Sequence, residues 1–177
     1  MTLEDKLKEI IRDVPDFPKE GIMFKDISPI MLNPVFSNEV LDYLEKVYRN
    51  KGIDAVAGIE SRGFLFGFPL ALRLDVPFVL IRKQGKLPYK KISYSYDLEY
   101  GKATIEMHTD AITRGANVLI HDDLLATGGS AEAAARLIEQ CGGRVYGFNF
   151  LVALDFLGGE KRLKQISDNI VNLAHFS

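Results

Sequence analysis

The 177 residues, 47% apolar and 26% charged, can bury the core of one ordinary globular domain, so residues 1–177 are read as a single domain. A formal net charge of -2 and a pI near 5.9 exclude a global basic field that would draw the chain to nucleic acid or to an anionic membrane. The longest apolar runs, 64–68 and 148–154, fall far short of the roughly 20 residues a membrane span needs, which predicts a cytoplasmic protein.

Leu3, Leu7, Ile10 and Ile11 repeat at helical spacing and predict a helix ending near Val14, because Pro15 disfavours a helical residue before it. A loop follows over Asp16–Gly21, then a short apolar strand from Ile22 that Pro29 closes. Val40, Leu41, Leu44 and Val47 mark a second helix, Ile53–Ile59 a buried strand and Leu65–Leu74 a third helix. Val76–Arg82 is another apolar strand. Ile92–Tyr96 and Lys102–His108 then alternate apolar and polar residues on either side of Glu99–Tyr100–Gly101, as in an exposed hairpin. Val118–His121 reads as a buried strand, Ala131–Glu139 as a helix and Val145–Leu154 as a strand before a short helical tail. This alternation predicts an α/β fold, a central parallel sheet flanked by helices on both faces. Cys141 is the one cysteine, so no intramolecular disulfide can form, and no Cys/His pair has zinc-ligand spacing.

The most informative segment runs from Val118 to Ser130, through a strand and a glycine-containing loop into a helix, the place where ligands bind in open α/β sheets. Gly128 and Gly129 allow close backbone approach, Thr127 and Ser130 add hydroxyls, and the helix start offers unpaired N–H groups. Together they make an anion cradle sized for one phosphate. Asp122 and Asp123 precede it, where they can accept hydrogen bonds from two ribose hydroxyls or contact a hydrated Mg²⁺. A strand end capped by two solvated aspartates is the plainer alternative for such a pair. No lysine follows the glycines, so this is not an ATPase-type phosphate loop, nor is it a dinucleotide fingerprint.

The stretch Asp122–Ser130 resembles the phosphoribosyl-pyrophosphate motif of the type I phosphoribosyltransferases. Asp16–Pro29, Ser61–Gly67, Ile81–Pro88 and Leu98–Lys102 are similar to the branch of that family acting on adenine, and they occur in the family's order. The resemblance implies transfer of the 5-phosphoribosyl group from phosphoribosyl pyrophosphate to adenine, giving AMP and pyrophosphate, with Mg²⁺ carried mainly by the substrate and no direct protein metal ligand. It also implies a homodimer, a small N-terminal hood contributed mainly by about residues 1–35, and a flexible β-hairpin loop.

Carried onto this chain, the family's roles place Met23, Phe24, Arg62 and Leu157 at adenine, with Phe24 stacked on the purine. The backbone C=O and N–H of Met23 match adenine's amino donor and ring acceptor, a pattern that a 6-oxo purine reverses. Lys25, Ser61, Arg82, Lys83, Lys86, Tyr100, Asp122, Asp123, Ala126, Thr127, Gly128, Gly129 and Ser130 fall to the phosphoribosyl donor and AMP. Glu60–Gly63 resembles the loop that receives pyrophosphate, held in the family by a cis peptide before the serine. An Arg62–Glu60 salt bridge is the bland alternative there. The segment from about Lys83 to Tyr96 closes over the donor, and Arg82, Lys83 and Lys86 neutralise its pyrophosphate. Glu99 is the catalytic residue, relaying the proton at the purine ring nitrogen.

Two positions depart from the family pattern. His121 stands where an apolar residue is usual, able to perturb Asp122 or to hydrogen-bond within the sheet, and Ser130 stands where threonine is usual but keeps the hydroxyl. Two other readings compete: a transferase acting on hypoxanthine, guanine or xanthine, and a purine-responsive regulator that binds the donor without catalysis. The hood segment argues against the first; the lack of a basic nucleic-acid surface argues against the second.

Overall fold

The computed structural model describes residues 1–98 and 101–177. Helix α1 (Leu3–Ile10) opens on a reciprocal cap in which Thr2 Oγ1 accepts from the Asp5 N–H at 3.1 Å and Asp5 accepts from the Thr2 N–H at 2.8 Å. It stops short of the predicted Val14. The chain turns extended at Ile11, and Arg12–Pro15 forms strand β1, antiparallel to β2 (Met23–Asp26). Pro15 therefore does not end the helix, which stops at Ile10; it closes β1, where a two-stranded ribbon tolerates a residue without an N–H. Helix α2 (Ser28–Met31) precedes α3 (Pro34–Tyr48), where Pro34 takes the first turn and Asn33 Oδ1 accepts from the Phe36 N–H at 3.0 Å.

The main sheet holds β3 (Ala55–Ile59), β4 (Phe78–Lys83), β5 (Lys91–Asp97), β6 (Lys102–His108), β7 (Asn117–Leu125), β8 (Arg144–Leu154) and β9 (Ile170–Phe176), in the order β5-β6-β4-β3-β7-β8-β9. Every pair from β4 across to β9 is parallel, whereas β6 and β5 are antiparallel additions at one edge. The predicted hairpin therefore does not stand free. Arg82 pairs with Glu106 and Lys83 with Ile105, which ties the hairpin to the strand that carries the basic residues.

Successive side chains of a strand point to opposite faces, and the core divides accordingly. Val118, Ile120, Phe148 and Phe150 pack under α5 (Gly129–Gln140) with Ala134, Leu137 and Ile138. Leu119, Val56 and Leu151 face α3 and α4 (Gly63–Leu74), where they meet Leu44, Phe66 and Leu70. Leu7 and Ile30 lie in this second cluster at 0% exposure, so the N-terminal segment shares a core with the sheet and only the β1–β2 ribbon stands off it. Each such buried side chain stabilises the fold by about 1.5–3 kcal/mol.

Two further departures matter for the site. The expected helical tail is a 3-10 turn (Asp155–Leu157) and a short α6 (Gly159–Leu163), after which the chain returns to the sheet as β9, parallel to β8. Strand β7 continues past His121 to Leu125, so Asp122 and Asp123 are strand residues on opposite faces rather than neighbours in a loop. The parallel strands end together, and the loops after β3, β4, β7 and β8 gather at that end of the sheet. Among the described residues no helix is long and apolar enough to cross a membrane.

Candidate active site

Ala126, Thr127, Gly128, Gly129 and Ser130 line a cavity of about 760 Å³ at the C-terminal end of β7, together with Asp122 from the strand and Leu157 from the 3-10 turn. Gly128 sits at φ +80°, in the left-handed region that favours glycine, and a Cβ there would lie 3.1 Å from the Gly159 carbonyl oxygen. The loop is supported from beneath by Gly159, where any Cβ would overlap the carbonyl oxygen of Ala126. Backbone thus packs directly on backbone, and the first N–H groups of α5, which have no partners within the helix, face the cavity's anion cradle.

The two aspartates divide the work that the sequence assigned to them jointly. Asp122 lines the cavity, and its Oδ1 accepts from the Asp123 N–H at 2.9 Å. Asp123 turns to the other face and is 4% exposed, its Oδ2 2.8 Å from Arg62 Nε in an ion pair too poorly aligned to count as a hydrogen bond. Burial raises the Asp122 carboxyl well above the usual aspartate range, and the neighbouring Asp123 charge adds to it. Burial also raises Asp123, partly offset by Arg62. The half-buried Asp122 and the buried Asp123 share one arginine, an excess of negative character that incoming hydroxyl donors would relieve. Beside them His121 is fully buried, and Nδ1 meets Asn149 Oδ1 at 2.6 Å. Burial lowers its pKa to about 4, so it is neutral and belongs to the sheet's own hydrogen bonding.

Arg62 joins the acid pair to the N-terminal ribbon. Its guanidinium lies 5.0 Å above the Phe24 ring, whose other neighbour is Phe17 in an edge contact at 5.0 Å. Met23 precedes Phe24 at 49% exposure. Lys25, by contrast, is not brought to the phosphate cradle. Its Nζ pairs with Asp13 at 2.5 Å and sits 4.1 Å from the centre of the Phe176 ring, so this lysine fastens the ribbon to β9.

The peptide Glu60–Ser61 is cis, as the resemblance implies. Glu60 pairs not with Arg62 but with Arg82, accepting from Nε at 3.2 Å and Nη2 at 3.0 Å, and it also accepts from the Lys83 N–H at 2.9 Å. The Arg82 hydrogen bonds hold the Glu60 carboxyl below its ordinary pKa. Arg82 Nη1 further donates to the Lys86 carbonyl at 3.0 Å, and Glu106, 3% exposed, accepts from the Gly85 N–H at 3.0 Å. Arg82 is therefore a strut of the basic loop, whereas the side chains of Lys83 and Lys86 reach solvent.

Glu99 and Tyr100 lie outside the described residues; the segment leading to them, Tyr96, Asp97 and Leu98, lines the cavity. Arg162 and Gly159 were not legible as site residues, and Tyr96 only as the end of the segment expected to close over the donor. Arg162 lines the cavity from α6 and pairs with Glu132. All three come from elements distant in sequence, which no local motif could bring together.

A strand end, a glycine turn, a helix start and a half-buried acid face one cavity at the C-terminal end of the parallel strands, the place where open α/β sheets take their ligands. The family model described as the phosphoribosyl transferase domain matches residues 30–172. An adenine phosphoribosyltransferase from Haemophilus influenzae (strain PittEE) is 49% identical over 172 residues, covering 97% of this chain and 96% of that one. The crystal structure of adenine phosphoribosyltransferase from Thermoanaerobacter pseudethanolicus superposes with a TM-score of 0.93 at 47% identity, covering 99% of this chain and 100% of that one. That from Saccharomyces cerevisiae, complexed with an iminoaltritol bisphosphate and adenine, gives 0.89 at 42%, covering 97% and 98%. The chain belongs to the adenine phosphoribosyltransferases.

Proposed function

We infer that the protein is a purine salvage enzyme that transfers the 5-phosphoribosyl group of phosphoribosyl pyrophosphate to adenine, releasing pyrophosphate and AMP. One observation carries this reading: a phosphate cradle, a half-buried acid facing the same cavity and an arginine bridging that acid pair to an aromatic ring form one continuous line of contacts. The 5-phosphate binds the N–H groups and hydroxyls of residues 126–130. Asp122 accepts from ribose hydroxyls, and adenine lies between Phe24 and Leu157, read by the Met23 backbone.

Asp122 is the carboxylate that fits a water of a hydrated Mg²⁺, whereas Asp123 is committed to Arg62. Mg²⁺ carried by the donor and held there through water by Asp122 would neutralise charge on the pyrophosphate. Lys83 and Lys86, with Ser61, meet the leaving pyrophosphate as the segment from about Lys83 to Tyr96 closes over the donor, while Arg82 holds that segment through the Lys86 carbonyl. Glu99, beside Tyr100, takes the purine ring proton, a role supported by the sequence resemblance and by the course of Tyr96–Leu98 along the cavity. The shared core of Leu7, Ile30 and the sheet supports one domain over 1–177 with the ribbon as its hood. The apolar face of Phe68, Leu72 and Leu80, 50%, 64% and 39% exposed, supports a homodimer, and the composition supports a cytoplasmic enzyme.

Product formation from phosphoribosyl pyrophosphate and Mg²⁺, with adenine, hypoxanthine and guanine offered separately, tests the reading. AMP from adenine alone is the expected result. A preferred 6-oxo purine would overturn the acceptor assignment, and no product with any base would overturn the activity.

A further inference from the structure

We propose that Tyr96 is a positioning residue that couples the β5–β6 hairpin to occupancy of the phosphate cradle through Ser130; the inference rests on the reading of residues 126–130 as that cradle. Tyr96 Oη and Ser130 Oγ are 2.9 Å apart, and the Tyr96 ring edge lies against Gly129, where a Cβ would sit 3.5 Å from Cδ2. The hairpin thus touches the phosphate loop at the hydroxyl that the phosphate itself should use.

Hydroxyl chemistry orders the contact. A phenol is the better hydrogen-bond donor, and a serine hydroxyl has one proton and two acceptor lone pairs. When Tyr96 O–H donates to Ser130 Oγ, the serine proton is left free to point into the cavity. A phosphate oxygen accepting that proton makes a charge-assisted bond, which polarises Ser130 Oγ and strengthens the bond from Tyr96 in turn. The two contacts are cooperative rather than competitive. Phosphate binding holds Tyr96, and Tyr96 is the last residue of β5 but one, paired with Ala103 on β6. Asp97 and Leu98 continue from it along the cavity wall toward position 99. Filling the cradle therefore fixes the end of the strand from which Asp97 and Leu98 run along the cavity wall. The neighbouring Ser95–Thr104 contact at 2.8 Å lies within the hairpin and serves only its own pairing.

Calorimetric titration of wild type, Tyr96→Phe, Ser130→Ala and the double variant with ribose 5-phosphate, and separately with pyrophosphate, tests the proposal. Tyr96→Phe keeps the ring and its packing and removes one hydroxyl. It should weaken ribose 5-phosphate by about fivefold, the effect of one hydrogen bond, and leave pyrophosphate unchanged. In the Ser130→Ala background the same change should cost nothing further, because the partner is already gone. Equal ribose 5-phosphate affinity for wild type and Tyr96→Phe would overturn the coupling, as would an equal loss for pyrophosphate or additive losses in the double variant. Failure of the wild-type protein to bind ribose 5-phosphate would instead overturn the cradle on which the proposal rests.

Discussion

The two ends of the proposed site, donor and acceptor, are built by different means. At the donor end, backbone does most of the work: a strand hands over to a glycine turn, Gly159 packs against Ala126, and the helix start is set by covalent geometry. At the acceptor end side chains do it: Phe24 between Phe17 and Arg62, Lys25 between Asp13 and Phe176, and a ribbon that only two strands hold. A phosphate asks for a fixed cluster of N–H groups, which a rigid loop supplies before the ligand arrives. A flat purine asks for stacking and edge recognition, which a few side chains can tune without rebuilding the sheet.

That contrast can be broken at both ends. The largest effect belongs to Glu99→Ala, which should lower kcat by about 10²–10⁴-fold, the range of a lost general acid–base group, with donor binding by calorimetry retained. Next is Gly159→Ala. Its Cβ would lie 2.3 Å from the Ala126 carbonyl oxygen, 2.8 Å from Leu125 Cδ1 and 3.1 Å from the Gly128 nitrogen, so thermal or denaturant unfolding should show a loss of about 1–3 kcal/mol and the KM for the donor should rise with it. Phe24→Ala should raise the KM for adenine by about tenfold through loss of stacking, while the KM for the donor stays within about twofold. An equal rise in both would erase the distinction between the two ends.

The smallest effect is on stability against pH. The folded-state pKa of Asp122 is raised above the ordinary aspartate value of 3.8, so its contribution is fully present below that value and is lost as pH rises through the folded pKa. Removing the charge with Asp122→Asn should therefore raise Tm relative to wild type at pH 8, with the gain shrinking toward pH 3.5, while ribose 5-phosphate affinity falls. His121 works in the opposite sense. Its pKa is depressed from 6.5 to about 4, so the stability it confers is present above pH 6.5 and falls away as the pH drops through 4. Melting curves across pH 3.5–8 on both single variants, Asp122→Asn and His121→Val, separate the two groups.

The donor end was legible in the sequence because it is local: strand, acids, hydroxyls and glycines follow one another within Val118–Ser130, and each residue type has one physical reason to be there. Even there, the reach of β7 to Leu125 was hidden, since aspartates in a strand read as loop, and with it the division of Asp122 and Asp123 between two faces. The acceptor end came from resemblance alone. Pairing of Arg62 with Asp123 rather than Glu60, use of Lys25 by Asp13 and the return of Ile170–Phe176 as a strand all depend on contacts between distant segments. Side-chain periodicity carries no record of such partners.

The most direct test is a crystal structure with AMP bound. The phosphate should occupy the N–H groups of residues 127–130, the ribose hydroxyls should reach Asp122, and the purine should lie between Phe24 and Leu157 with its amino edge at Met23. A phosphate held elsewhere, or a base directed away from the β1–β2 ribbon, would contradict the division of the site into a backbone-built donor end and a side-chain-built acceptor end.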